Sequence, residues 1–475
     1  MNTKPILLQA IRLKNFRGFR DERIELKPLT VLLGPNSAGK SSFGHALAAM
    51  THAHKVYATG PQASLTPPSD DADKWPVDLG KTSDLRTDGE KGSVRIGIET
   101  RGGLIEFGFG GLTDSEDLLM SYVSHPSSEQ SIPLGIASRV TNERPPLATS
   151  SVVPLEQTIH KISTAIELDR MNIGQWREGA SEVAVIINGL IVKAVEHRTG
   201  TSRKFSGAAR DELESLLTTL TYLRATRKRP SRGYKDDLGR QQEIGYGGEW
   251  TPSLLHRKGG NKVKYHVPPQ IQQVADDAKG ISDVWTEKQE SLLEGVGAWL
   301  SLLDLASAIE TVPPTVSDKG VKLRATLKGQ KSHDITEIGF GVSQVIPVLV
   351  AGLLQPSDSL FIVDLPEAHL HPRPQGAIAD FFCSLALSGK SALVETHSEM
   401  FFHRLRLRAA QNPSLMDKIA VYFIDEPDKD GFCSKPRPVG LGFQDELRWP
   451  EGFLQEGWET EMLINVARQA RERSS

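Results

Sequence analysis

Cysteine is almost absent from this chain: Cys383 and Cys433 are the only two in 475 residues. That scarcity excludes a disulfide framework and a thiolate metal site, and leaves both residues as incidental core or surface positions. Long apolar runs are missing too. The longest, residues 345–354, is about half of the roughly 20 residues that a membrane span needs. The start, Met1-Asn2-Thr3-Lys4, lacks a basic segment leading into a signal-type apolar core. The expectation is a cytoplasmic protein with no membrane partner. Nor is there a global excess of positive charge. The formal net charge is −3, so any surface for DNA or RNA has to be local. Sustained heptads with apolar a and d positions are also lacking, which argues against a long coiled-coil arm.

Against these absences stands one dense motif. Gly34-Pro35-Asn36-Ser37-Ala38-Gly39-Lys40-Ser41-Ser42 follows the apolar run Leu29-Thr30-Val31-Leu32-Leu33 and precedes the helix-compatible Phe43-Gly44-His45-Ala46-Leu47. It reads as strand, phosphate-binding loop and helix. The spacing G-x-x-x-x-G-K-S has a physical reason. Glycines let backbone N–H groups turn inward around phosphate oxygens, Lys40 neutralises the β/γ charge, and Ser41 can hold Mg²⁺. ATP and Mg²⁺ are the expected cofactors, with Gly34, Asn36, Ser37, Gly39, Lys40, Ser41 and Ser42 as nucleotide ligands.

A second constellation lies far downstream. Leu360-Phe361-Ile362-Val363-Asp364 is an apolar run ending in a carboxylate, the pattern of a buried parallel strand with an acid at its C-terminal edge. Asp364 there would bind Mg²⁺ directly or through water. Leu365-Pro366-Glu367-Ala368-His369-Leu370-His371-Pro372 follows, then a helix over residues 373–387 and a strand, Ser391-Ala392-Leu393-Val394, leading into Glu395-Thr396-His397-Ser398. Ahead of both, Gly339-Phe340-Gly341-Val342-Ser343-Gln344 opens an apolar helix whose free N–H groups can meet an anion.

The intervening chain is read more coarsely. Residues 94–99 and 104–108 alternate like a hairpin, residues 155–223 show helical spacing, as in Leu213-Leu216-Leu217-Leu220-Leu223, interrupted around Asn188-Gly189, 223–262 reads mostly as loop, and 285–305 as an amphipathic helix. The length fits two to four domains, or one nucleotide-binding fold with a large insertion. The working division is a head over 1–150, a largely helical insertion over 151–330, and the rest of the head over 331–475. Arg224, Arg227, Lys228, Arg229 and Arg232, flanked by Tyr222 and Tyr234, form the one basic cluster with aromatic neighbours. It can contact phosphates of DNA or RNA. A solvated or partner-facing loop explains it at least as well.

Taken together, these motifs resemble ABC-type ATPases of the RecF, SMC and OLD group. Leu13-Lys14-Asn15-Phe16-Arg17-Gly18-Phe19 and the segment from Gly34 to Ser42 look like that group's first strand and Walker A. Gly339 to Gln344 looks like its signature, Val363 to Pro372 like its Walker B and D-loop region, and Glu395 to Ser398 like its switch histidine, His397. The resemblance covers residues 5–106 and 335–425, and Trp449-Pro450-Glu451-Gly452-Phe453 looks like the tail of stand-alone bacterial members. It implies an α/β fold, an ABC-type P-loop ATPase head with a mixed sheet and flanking helices. It also implies head-to-head dimers, in which Gly341, Ser343 and Gln344 of one chain complete the ATP site of the other.

One departure bears on turnover. Most ABC ATPases carry a glutamate after the Walker B acid, and here Leu365 stands there. Either Glu367 polarises the attacking water, with His397 beside it, or hydrolysis is slow and ATP acts mainly as a structural ligand. Bridging of loops is an equally weighted role for Glu367. Stand-alone members of the group resemble the regulatory ATPases of the PARIS, Septu and Gabija types of anti-phage defence, which implies a separate nuclease or toxin effector. A RecF-like DNA-repair or DNA-loading role is the alternative. The chain after His397 is too short for the Toprim nuclease domain of about a hundred residues that OLD enzymes carry, and transporter subunits lack so long an insertion.

Overall fold

The computed structural model describes residues 8–56, 65, 75–77, 79, 82–87, 93–109, 120–124, 131–133, 151–153, 183–188, 190–197, 202–204, 208–235, 243–269, 284–315, 320–425 and 435–442. Its framework is an α/β arrangement with one mainly parallel and one antiparallel sheet. The parallel sheet has the order β12 (Thr221–Leu223), β19 (Leu360–Asp364), β20 (Ser391–Glu395), β3 (Leu29–Leu33), β21 (Ile419–Phe423) and β22 (Arg437–Pro438), with only β22 antiparallel. Strands β3, β19 and β20 are buried at every residue, as a parallel sheet covered on both faces requires. Side chains alternate between two cores. Leu32, Ile362 and Leu393 face one, while Val31, Leu33, Phe361, Val363 and Val394 face the other.

The first core is closed by α1 (Ser41–Val56), α3 (Ala208–Thr219) and the antiparallel sheet β2-β1-β4-β5-β6-β7. Its strands are β1 (Leu8–Phe16), β2 (Phe19–Glu25), β4 (Val94–Thr100), β5 (Gly103–Phe109), β6 (Met120–Ser124) and β7 (Ser131–Pro133). The hairpin expected over residues 94–108 is β4–β5, in register from Val94–Phe109 to Thr100–Gly103. The second core collects α5 (Leu292–Leu302), α6 (Phe340–Leu354), α7 (Pro372–Leu387) and α8 (Glu399–Gln411) on the other face. Two short helices, α2 (Thr82–Leu85) and α9 (Pro413–Met416), complete the head.

The largely helical insertion is corrected among the described residues. Strands β8 (Ser151–Val153), β9 (Val183–Asn188), β10 (Ile191–His197) and β11 (Ser202–Lys204) form an antiparallel sheet of order β11-β10-β9-β8. The reason is visible in Val183-Ala184-Val185-Ile186-Ile187 and Ile191-Val192: β-branched side chains favour the pleat, and Asn188-Gly189 between them is a hairpin dipeptide. Further on, β13 (Tyr234–Lys235), β16 (Ala308–Val312), β17 (Gly320–Thr326) and β18 (Ser332–Asp334) make another sheet, β14 (Lys262–Val267) pairs with β15 (Thr286–Ser291), and α4 (Thr251–Lys258) is the helix between β13 and β14. The helix expected over 285–305 is therefore divided. Ser291 and Glu294 form a reciprocal capping box that starts α5 only at Leu292. The boundary at residue 151 does not isolate an insertion either, since β12 pairs with β19 in the head's own sheet and α3 lies in the first core. The aromatic tail motif at 449–453 lies outside the described residues.

Candidate functional site

Three adjacent parallel strands end at one edge, and each delivers a piece of chemistry. Strand β3 runs into the phosphate loop, β20 ends in Glu395, and β19 ends in Asp364, with Asp364 opposite Glu395 and Glu395 opposite Leu32. Open α/β sheets bind ligands outside such C-terminal ends.

The loop itself takes conformations that ordinary residues avoid. Gly34 has φ +141°, and a Cβ there would lie 2.1 Å from the Ile424 carbonyl oxygen. Ser37 and Gly39 also have positive φ, 65° and 93°. This winding turns the backbone around a concave centre and ends at the N-terminus of α1, where N–H groups lack helical partners. Lys40 is 2% exposed and its Nζ donates to the Pro35 carbonyl, so the ammonium folds onto its own loop. Burial lowers its pKa, and Glu395 opposes that shift.

Asp364 is buried, and its Oδ2 accepts a 2.6 Å hydrogen bond from Tyr222 Oη. His45 Nε2, on α1, lies 3.5 Å from the same oxygen. Burial, together with Asp364, raises the Tyr222 pKa far above the ordinary phenol range, so Tyr222 is a fixed donor. Glu395 is also buried. Burial raises its pKa and Asp364's charge adds to the rise, while a hydrogen bond from Ser41 and the charges of Lys40 and His45 oppose it. Its Oε2 has no hydrogen-bond partner.

Beyond Asp364 the chain reverses sharply. Leu365 takes φ +46°, a strained conformation for a bulky non-glycine residue. Its N–H donates to the Glu395 carbonyl at 2.8 Å, and its own carbonyl accepts from Ala368 N–H at 3.1 Å. The turn brings Glu367 back against β20's continuation. Glu367 Oε1 accepts from Thr396 Oγ1 at 2.6 Å and from His397 N–H at 3.1 Å. Its Oε2 is buried and unpartnered. Burial raises the Glu367 pKa despite those bonds and the nearby Arg227 charge. The exposed His397 ring places Nδ1 3.1 Å from the Gly34 carbonyl. A carbonyl can only accept, so Nδ1 carries the proton and Nε2 is left open. Burial and Lys40 lower the His397 pKa.

The signature segment is the first turn of α6. Gly341 sits under the His369 carbonyl, 2.8 Å from where a Cβ would be, and Ser343 Oγ donates to Phe340 O at 2.7 Å. Gln344 departs from its expected role. It is 1% exposed and its Nε2 points inward to the Lys228 carbonyl at 3.4 Å, so its side chain is not on a surface that meets another chain.

The basic cluster also divides. Lys228, Arg229 and Arg232 are exposed, and Arg224 lies 3.8 Å from Glu249. Arg227 is 4% exposed and donates from Nη2 to the carbonyls of Asp364 and Leu365, at 2.9 and 3.1 Å. Burial lowers its pKa to about 10. Of the five residues offered as phosphate or partner contacts, Arg227 alone is buried, with its side chain turned to the strand ends instead.

Fit to a magnesium nucleotide follows from these donors. No cluster of three or more His, Cys, Asp or Glu residues arranged for a metal occurs among the described residues. Mg²⁺ bound to a nucleotide does not need one, because phosphate oxygens and water complete its octahedron around one or two protein oxygens. Ser41 and Asp364 would supply those, and the unpartnered oxygen of Glu395 lies on the same edge. Three contributors were not singled out by the sequence. Glu395 ends an apolar strand just as Asp364 does, a signal that could have marked it, whereas Tyr222 and His45 reach Asp364 only through the fold.

This combination of a phosphate loop, an acid on the neighbouring strand ends and helices on both faces defines an α/β protein of the P-loop class with a mixed set of sheets. Residues 7–130 match the family model described as AAA ATPase domain. Among solved structures, the SMC head domain from Thermotoga maritima aligns with a TM-score of 0.33 and 10% identity, over 91% of this chain and 99% of that one. An Smc head domain with an extended coiled coil, from Pyrococcus furiosus and bound to the C-terminal domain of ScpA, aligns with a TM-score of 0.40 and 12% identity, over 98% and 99%. A comparison with curated proteins finds no match.

Proposed function

We propose that this chain is an ATP-binding, slowly hydrolysing ATPase that works as a nucleotide-driven dimerising switch. The observation carrying the reading is the meeting of Lys40, Ser41, Glu395 and Asp364 on three neighbouring strand ends. A bound nucleotide with Mg²⁺ would supply the phosphoanhydride and neutralise charge on the phosphate oxygens. The loop N–H groups and Lys40, once it leaves the Pro35 carbonyl, would bind the phosphates, and Ser41 and Asp364 would hold the metal. Glu367 takes the water-polarising role that Leu365 cannot, using its open Oε2. His397 stands between Gly34 and Glu367 and reports the γ-phosphate position to both. Turnover is slow because Glu367 reaches the site around a strained turn and from a buried position that favours its protonated form.

Gly341 and Ser343, at the N-terminus of α6, serve a second copy, giving head-to-head dimers with composite sites. Phe340, 38% exposed at that helix start, is an apolar contact suited to such a face. The wider role we assign is the sensor or regulatory subunit of an anti-phage defence system that controls a separate nuclease or toxin. A RecF-like role on DNA draws its support from exposed Lys228, Arg229 and Arg232, and burial of Arg227 makes that cluster smaller.

Titration of a fluorescent ATP analogue against the parent and Lys40→Ala tests the reading. Binding by the parent should fall at least about a hundredfold in the variant, since the cation facing the β/γ-phosphates is lost. Equal binding by both would overturn the nucleotide site. Tight DNA binding by the parent that weakens steeply with salt would instead move the role to the second reading.

A further inference from the structure

Arg227 is a buried cation in an unusual setting. Burying a guanidinium is costly unless its donors are met, yet Nε and Nη1 have no partner and only Nη2 is satisfied. What Nη2 holds is informative. It grips the carbonyls of Asp364 and Leu365, the peptide units on either side of the left-handed turn at Leu365. That turn determines where Glu367 emerges. Glu367 in turn has a buried Oε2 without a partner, and the Arg227 charge acts on it.

The same strap is tied down at both ends. Tyr222 Oη bonds the Asp364 carboxylate, Arg224 N–H donates to the Tyr246 carbonyl, and Lys228 N–H donates to the Gly247 carbonyl. The Lys228 carbonyl accepts from Gln344 of the signature helix. Residues 222–228 therefore touch the metal-binding carboxylate, the turn after it and the first turns of α6.

We infer that Arg227 is the positioning residue of the Walker B turn: through the Asp364 and Leu365 carbonyls it fixes the strained backbone that aims Glu367 at the reacting water. The inference rests on the ATPase reading for its consequence in turnover, though not for its consequence in the turn itself. Lysine would keep the charge but not the fixed planar fork that meets two carbonyls at once.

The test compares the parent with Arg227→Lys and Arg227→Ala by amide hydrogen exchange and by ATP binding and turnover. Without the fork, the amides of Leu365, Ala368 and Leu370 should exchange about tenfold faster or more, while those pairing β1 with β4 keep the parent rate. In turnover, kcat should fall about a hundredfold, as misplacement by about 1 Å does, with ATP affinity within about threefold of the parent. Millimolar guanidinium should restore part of the kcat of Arg227→Ala. Parent-like exchange and kcat in Arg227→Ala would overturn the inference. So would faster exchange everywhere with a matching loss of ATP affinity and no guanidinium response, which is the signature of general destabilisation. If the parent itself neither binds nor hydrolyses ATP, the ATPase reading fails, and exchange at Leu365, Ala368 and Leu370 still decides the role of Arg227.

Discussion

Leucine at position 365 costs the site a carboxylate and gives it a turn. Its φ of +46° is a backbone state that costs on the order of 1–3 kcal/mol for a non-glycine residue, and the surrounding bonds repay it: Glu395 O, Arg227 Nη2 and Ala368 N–H all meet this peptide. Under the proposed function, two buried carboxylates are candidates for the water-polarising role. Glu367 is anchored by Thr396 and His397, and Glu395 by Ser41. Glu395 bonds the Ser41 hydroxyl, and Glu367 bonds the His397 backbone N–H. Glu367→Gln keeps the anchor geometry but removes the base, so kcat should drop about a hundredfold with ATP affinity little changed. Glu395→Gln should act mainly on Mg²⁺, raising the concentration needed for half-maximal nucleotide binding. A colorimetric phosphate assay over a Mg²⁺ series separates the two. If Glu395→Gln loses kcat at saturating Mg²⁺ and Glu367→Gln does not, the roles are exchanged. The acid at Asp364 and the phosphate loop were readable from sequence because apolar runs ending in an acid or in G-x-x-x-x-G-K-S are local patterns. The contacts of Tyr222, His45 and Arg227 were not, since each joins residues far apart in the chain.

Among the elements, the pairing of α7 with α8 depends on charge buried inside an apolar interface. Arg408, 1% exposed on α8, makes a two-pronged ion pair with Asp380 on α7 at 2.8 and 2.9 Å, and Nη1 adds bonds to the Pro269 carbonyl and to Gln411 Oε1. Trp285 lies 5.6 Å from the guanidinium carbon. Arg404 Nη1 stands 3.5 Å from Asp380 Oδ2, a longer contact than either prong of the fork. Arg408→Ala strands Asp380 in the core, so unfolding in urea should show a loss of about 3–5 kcal/mol. A loss under about 1 kcal/mol would mean that Arg404 compensates. Because α8 begins directly after Ser398, the variant should also loosen His397. Elements were legible where local signals agreed. Strands β3, β19 and β20 follow from short apolar runs, and the helix between the last two from its place between them and the glycine at 389. The strand before α5 was missed because Thr286-Glu287-Lys288-Gln289-Glu290 is exposed and polar, giving no apolar alternation, although the Ser291–Glu294 capping box marked the true helix start. Strands β9 and β10 were missed because a helical reading of leucines further on was extended backwards over β-branched residues.

At the scale of the whole molecule, a second copy is, under the proposed function, the closure of the site. The N-terminus of α6, with Ser343 9% exposed behind the exposed Phe340, is the surface we assign to that task. Ser343→Arg tests it with little risk to the nucleotide pocket, because Lys40, Ser41 and Asp364 belong to other elements. An arginine there adds bulk and a charge where the facing copy's phosphate would dock, and far-UV circular dichroism of the monomer checks that the partly buried position accepts it. ATP affinity should remain within about threefold of the parent, whereas association driven by a non-hydrolysable analogue should fall by at least about tenfold. Multi-angle light scattering at several protein concentrations, with and without the analogue, reads this directly. Dimerisation of Ser343→Arg equal to that of the parent would show that the helix start does not lie in the interface. Loss of ATP binding together with association would show instead that the two copies bind nucleotide only as a unit, so that a monomer has no competent site.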